Sequence, residues 1–188
     1  MTAGRSPRVL VDATSVPADR GGVGRYVDGL LGALSKVTGS ALELIVVAQR
    51  TDVERYARVL PGAEVLGAPA AAAHRPARLA WEQTGLPLLA QQVNAQVLHA
   101  PFYTCPLRIS CPVTVTVHDA TFFTEPEHYD KSRRTFFRSA IKTSMRVGSA
   151  SNSRISSSRV ALLGTMTRAA RRSEVLIALR KNVRRDLS

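Results

Sequence analysis

Cysteine is scarce in this sequence: Cys105 and Cys111, in the stretch TCPLRISCP, are the only two among 188 residues. Without a His or Cys cluster at metal-ligand spacing, such a pair fits reduced thiols in a cytosolic chain. Long apolar runs are missing too. No stretch approaches the roughly 20 residues of a membrane span. The N-terminal MTAGRSPRVLVDATSV has only a strand-length apolar run before Asp12, too short for the core of a signal peptide. The expected location is cytoplasmic, with peripheral contact at the inner face of a membrane as a further expectation.

Acid is what the last third lacks. Residues 131–188 hold 15 Lys and Arg against 2 Asp and Glu, a net of +13, whereas residues 1–130 hold 11 against 12, a net of −1. The formal charge of +12 therefore resides wholly in the C-terminal segment. A nucleic-acid-binding fold carries its basic residues on the face that meets phosphate, so the near-neutral body argues against nucleic acid as a partner of the main domain. The basic segment remains a candidate for anionic surfaces.

What the chain does have is alternation. Apolar runs of strand length (RVLVDA, LELIVVA, AEVLGAP, QVLHAP, PVTVTVHDA) are separated by stretches of helical period, which is the pattern of an α/β fold with a mainly parallel sheet. The helix after the glycines in DRGGVGRYVDGLL places Val23, Tyr26, Val27, Leu30, Leu31, Leu34 and Val37 on one face. DVERYARVL reads as a short helix, AAAAHRP as a loop, and RLAWEQTGLPLLAQQV as a helix kinked or broken around Gly85 and Pro87. FTEPEHYD reads as a polar loop and KSRRTFFRSAIKTSM as a basic amphipathic helix. That helix either docks on the sheet with a solvated charged face or lies on an anionic membrane surface. After residue 146 the texture becomes Ser- and Arg-rich without a clear period. The expected organisation is a main domain over 1–146 and a basic segment, leaning towards disorder, over 147–188.

In open parallel sheets ligands bind outside the carboxyl ends of the strands. Three such ends draw notice: the Gly21-Gly22-Val23-Gly24 loop, His99 after QVL, and His118-Asp119 after VTVTV. Glycines that open a helix let a ligand approach the backbone, where free N–H groups and the helix dipole favour an anion or hydroxyl oxygens; the alternative is a simple helix-starting turn. A dinucleotide fingerprint is excluded, because Val27 stands at the third glycine and Gln49 and Arg50, not an acid, follow the second strand. No G-K-[ST] follows the glycines, so a P-loop is excluded as well. His118 is able to donate to, or orient, a hydroxyl or phosphate; the plainer alternative is a structural hydrogen bond. His99 carries a weaker version of the same reading. Asp119 points to the other side of an extended chain and is a candidate for capping the following loop.

Taken in order, VLVDATSV, GGVGRYVDGLLGAL, LAWEQTGLPLLA, VLHAPFYTCPL and PVTVTVHDATFFTEPEHY resemble the N-terminal domain of bacterial family 4-type glycosyltransferases of the GT-B fold, from about residue 8 to residue 145. The resemblance implies an N-terminal half of a GT-B fold: a Rossmann-like, mainly parallel sheet with helices on both faces. It further implies transfer of a sugar from a nucleotide-sugar donor to a glycan or lipid-linked acceptor, with retention and without a metal or other cofactor. Gly21, Gly22 and Gly24 would sit against the donor phosphates and transferred sugar, His118 near the reacting centre, and Arg25, His99 and Asp119 on the acceptor side. The family continues into V-S-x-x-S and a C-terminal domain that holds the donor, with an E-x7-E pattern, and none of that follows here. A frameshift near codon 146, a truncated gene or a divergent remnant would each give the abrupt change. The expectation is a chain that supplies only the N-terminal half and needs a partner half for activity. Two rivals stand beside it: a non-catalytic binding or regulatory module whose basic segment docks on membrane, nucleic acid or protein, and a Rossmann enzyme of another kind.

Overall fold

The structure, a computed structural model, describes residues 6–38, 41–118 and 121–152. Its centre is a sheet of five parallel strands: β1 (Arg8–Asp12), β2 (Glu43–Ala48), β3 (Glu64–Gly67), β4 (Val97–Ala100) and β5 (Val113–Val115). Their order is β3-β2-β1-β4-β5. The chain steps outward from β1 to β3, then crosses back over β1 to lay down β4 and β5. β1 is held in register by Arg8 opposite Glu43 on one side and by Val11 opposite His99 on the other. Between β1 and β4 the direction of winding reverses, and there the loops leaving the two strands diverge to open a crevice.

Helices cover both faces of this Rossmann-like α/β fold. α1 (Gly21–Ser35) and α2 (Val53–Val59) pack on one face, where Val27, Leu31 and Tyr56 cluster with Val11, Leu44 and Val46. α3 (Arg75–Gln92) packs on the other, where Leu86 and Ala90 cluster with Leu10, Ile45 and Val47. Neighbours along a strand thus serve opposite cores, and strands buried on both sides read as uninterrupted apolar runs. Each fully buried Leu, Ile or Val contributes about 1.5–3 kcal/mol relative to exposure. At the base of the sheet, Arg8 ties three elements together: its guanidinium meets Glu43 at 2.8 Å and Glu64 at 3.7 Å and donates to the Val93 carbonyl at 2.6 Å.

Several elements differ from the sequence-based expectation. α3 runs unbroken through Gly85 and Pro87; Pro87 lacks the N–H of that turn, and the burial of Leu86 and Ala90 beside it offsets the loss. AAAAHRP is not an open loop but a 3-10 turn, Ala70–Ala73, leading into α3. The polar loop FTEPEHYD begins inside a helical turn, α4 (Thr121–Thr124), and contains a 3-10 turn, Pro126–His128. β5 is shorter than its β-branched run, because β4, its neighbour in the sheet, ends at Ala100.

The last helix, α5 (Lys131–Asn152), passes the expected boundary at residue 146. Val147, one residue beyond that boundary, packs against the α3-side core. Residues 153–188 of the expected basic segment lie outside the described residues.

Candidate functional site

The carboxyl edge of the sheet collects most of the residues singled out above. β1 ends in Asp12, whose carboxylate accepts from the Thr14 N–H at 2.9 Å and the Thr14 hydroxyl at 2.6 Å, turning the chain sharply. The loop then passes Ser15 and reaches Arg20 and Gly21, both with left-handed φ, +64° and +44°. A left-handed conformation costs an L-residue roughly 1–2 kcal/mol, and the side chain of Arg20 supplies the compensation. Its guanidinium pairs with Asp52, lies 3.8 Å from Asp28 and donates to the Tyr56 hydroxyl at 3.1 Å. Asp28 also accepts from Arg55 at 2.8 Å and Tyr56 at 2.9 Å. Partial burial pushes its carboxyl up, but these hydrogen bonds outweigh it and hold Asp28 below the usual range. Gln49, after β2, donates to the Thr14 carbonyl at 2.8 Å, which gives the residue in the place of the ribose-binding acid a structural task.

The three glycines serve different ends. Gly21 takes the positive φ. Gly24 is buried, and a Cβ there would stand 3.0 Å from the Arg20 Cβ and 3.3 Å from Val16 Cγ1, so it is needed for close packing. Gly22 is exposed, and a Cβ there would meet nothing within 4 Å. No side chain caps α1, which leaves first-turn N–H groups for water or a ligand.

One turn along α1 from Gly22, the Tyr26 ring meets His118 edge to face, centroids 5.1 Å apart. Tyr103 meets the same imidazole at 5.9 Å. His118 Nε2 lies 2.9 Å from the Pro101 carbonyl; a carbonyl only accepts, so Nε2 is the donor of this bond. Behind it, the buried Thr116 hydroxyl lies 3.3 Å from the Tyr26 hydroxyl and 3.3 Å from His99 Nε2. Burial, with the charge of His118 adding to it, drives His99 down to about 4, so His99 is a neutral partner at physiological pH. The structure thus brings the start of α1, His118 and His99 together. Arg25 is exposed on α1, and no contact ties it to this group. Asp119 lies outside the described residues.

Beside His118, and sharing Phe102 with it, the crevice between β1 and β4 holds a cavity of about 300 Å³. Ser15 lines it from the loop after β1, Phe102 and Thr104 from the loop after β4, Arg75 and Arg78 from the start of α3, and Phe136 from α5. Next to it lie two buried carboxylates, Asp12 and Glu82. Burial raises Asp12 against the hydrogen bonds from Thr14 and the charge of Arg78. Burial, with the charge of Asp12 adding to it, pushes Glu82 up to about 7, although Glu82 accepts from Thr104 at 2.6 Å and Gln83 at 2.9 Å.

Asp12, Arg78, Glu82 and Thr104 were not among the residues singled out from the sequence. The available signal was an acid closing the first strand, at the one place where winding reverses. Cys105 and Cys111 are free and buried, and burial pushes the Cys105 thiol up to about 11, which makes it inert. Among the described residues no helix is long and apolar enough to cross a membrane. Comparison with protein-family models, curated proteins and solved structures gave no match.

Proposed function

We propose that this domain is the acceptor-side half of a retaining glycosyltransferase, which takes a nucleotide sugar as donor and a glycan or lipid-linked acceptor, with no metal in the reaction. The observation that carries the reading is the meeting of Tyr26, one turn past the glycines, with His118 at the carboxyl edge of the sheet. The uncapped turn offers N–H groups to donor phosphates or sugar oxygens. His118, anchored through Nε2 to the Pro101 carbonyl, keeps its second ring nitrogen for a hydrogen bond with a sugar hydroxyl. Transfer requires donor and acceptor to be held together, so on this reading a second, donor-holding half completes the cleft.

The rival, a module docking through its basic residues, draws on the charge of residues 131–188. In the described part of that segment, Arg134 donates to the Pro126 carbonyl at 3.4 Å and Arg138 stacks on Phe123 at 5.1 Å. These two cations are engaged within the fold, which favours the docked helix over a lipid-facing one.

Saturation-transfer NMR on the full chain, with octyl glycosides and with UDP- and GDP-sugars, tests the proposal. Transfer to both classes is expected, weakened for the nucleotide sugars by Gly22→Val and for the glycosides by His118→Ala. No transfer to either class, or transfer unchanged in both variants, overturns the reading. Nucleoside diphosphate release by the chain alone would remove the need for a second half.

A further inference from the structure

We propose that the crevice between β1 and β4 is a binding site for a small organic anion, a phosphate ester or a carboxylate, held by the guanidinium groups of Arg78 and Arg75 and the hydroxyl of Ser15. The inference does not rest on the glycosyltransferase reading and requires only the crevice itself.

Arg78 carries the argument. It is 8 % exposed and lines the cavity, yet its Nη1 is buried without a hydrogen-bond partner. An unpaired buried donor costs about 1–3 kcal/mol, more when charged, so such a group persists where something else completes it. The carboxylates that face it do not. Glu82 Oε2 stands 3.8 Å from Nη1, beyond hydrogen-bond reach, and takes the Thr104 hydroxyl instead. Asp12 takes both donors of Thr14 on Oδ1 and makes no hydrogen bond to Arg78 Nη1.

The remaining walls agree in sign and shape. Arg75 is exposed, lies 4.5 Å over the Phe136 ring and has no ion pair among the described residues. Both arginines stand in the first turn of α3, which no side chain caps, so the positive end of an 18-residue helix adds to their field. Ser15 is half-buried at the cavity wall. Phe102, Phe136 and Phe137 add apolar surface to the lining. The volume of about 300 Å³ is at the lower end of small-molecule sites, roughly 300–1,000 Å³. Two cations against three aromatic rings fit an anionic head on a compact ring or chain, and suit neither a bare metal cation nor a neutral lipid tail.

Isothermal titration of the full chain with phenyl phosphate and with benzoate, at salt sufficient to screen exposed charge, tests the proposal. The expected result is one site per chain. Affinity should fall about tenfold or more in Arg78→Met, the scale of a lost charge-assisted hydrogen bond, and severalfold in Arg75→Gln and Ser15→Ala. Binding of the phosphate alone assigns the site to phosphate esters, binding of benzoate alone to carboxylates, and binding of both to anionic heads in general. If Arg78→Met does not fold, the other two variants, at exposed and half-buried positions, decide. Absence of binding to either probe, or binding unchanged by Arg75→Gln and Ser15→Ala, overturns the proposal and moves anion binding to the basic C-terminal segment. That result leaves the response to His118→Ala untouched, so the two readings fail separately.

Discussion

Glu82 and His99 are buried titratable groups whose burial acts in opposite senses on stability. Glu82, raised from 4.5 to about 7, holds a proton more tightly in the folded chain than in the unfolded one. Its stabilising share is complete below pH 4.5 and is lost as pH rises to about 7. His99, lowered from 6.5 to about 4, holds its proton less tightly when folded. Its share is complete above pH 6.5 and is lost as pH falls to about 4. The two effects nearly cancel across the shared window, pH 4.5 to 6.5. In Glu82→Gln, stability should therefore fall on acidification through that window, and in His99→Gln it should rise. Each slope approaches about 1.4 kcal/mol per pH unit at most. Urea midpoints at pH 5 and 6.5 measure both, and parallel slopes in the two variants would contradict the assignment. Neither shift was legible in the sequence. Nothing in the spacing of Arg78 and Glu82 marks them as buried; the chain returns to them at Thr104, 22 residues later, where the hydroxyl donates to Glu82.

At the scale of elements, α3 shows how a side chain fixes a local choice. A Cβ at Gly85 would stand 2.3 Å from Trp81 Nε1 and 2.4 Å from Cδ1, so the indole lies across the glycine one turn ahead of it. Alanine raises helix propensity by about 1 kcal/mol, but here it must displace a ring packed against the core. Gly85→Ala should lose about 1–3 kcal/mol and shift the emission of Trp81, the chain's single tryptophan, to the red. A more stable protein with unchanged emission would refute this. From the sequence this glycine reads as a kink or break, whereas the helix runs through it unbroken; the need for a glycine, a ring from the preceding turn, belongs to packing. α5 teaches the converse: its Ser-rich end has weak periodicity, yet the helix continues to Asn152, and Val147 packs on the α3-side core.

For the whole molecule, the order of elements was legible, since buried parallel strands leave apolar runs that local chemistry can hardly disguise. The site was legible only in part. The glycines and His118 stand at strand ends, where the rule for open sheets directs attention, whereas Arg78 becomes notable only once its missing partner is seen. The layout also grades stability. β1 and β2 have neighbours on both sides and helices on both faces, while β3 and β5 are edges. Native-state hydrogen exchange should find amides of β1 and β2 slower than those of β3 by roughly two orders of magnitude; equal rates would show that the sheet opens only as a unit.

The crossover from β3 back to β4 has one more consequence. The crevice is walled by Ser15, Arg75, Arg78, Phe102, Thr104 and Phe136, so no contiguous stretch of chain contains it. Whatever fills it recognises only the finished fold. By mass action it adds RT ln(1 + [L]/Kd), about 2.7 kcal/mol at a hundred times Kd. The occupant is then a clasp on the native chain, and depletion of that small molecule would be felt first by proteases, as a shorter lifetime of the protein.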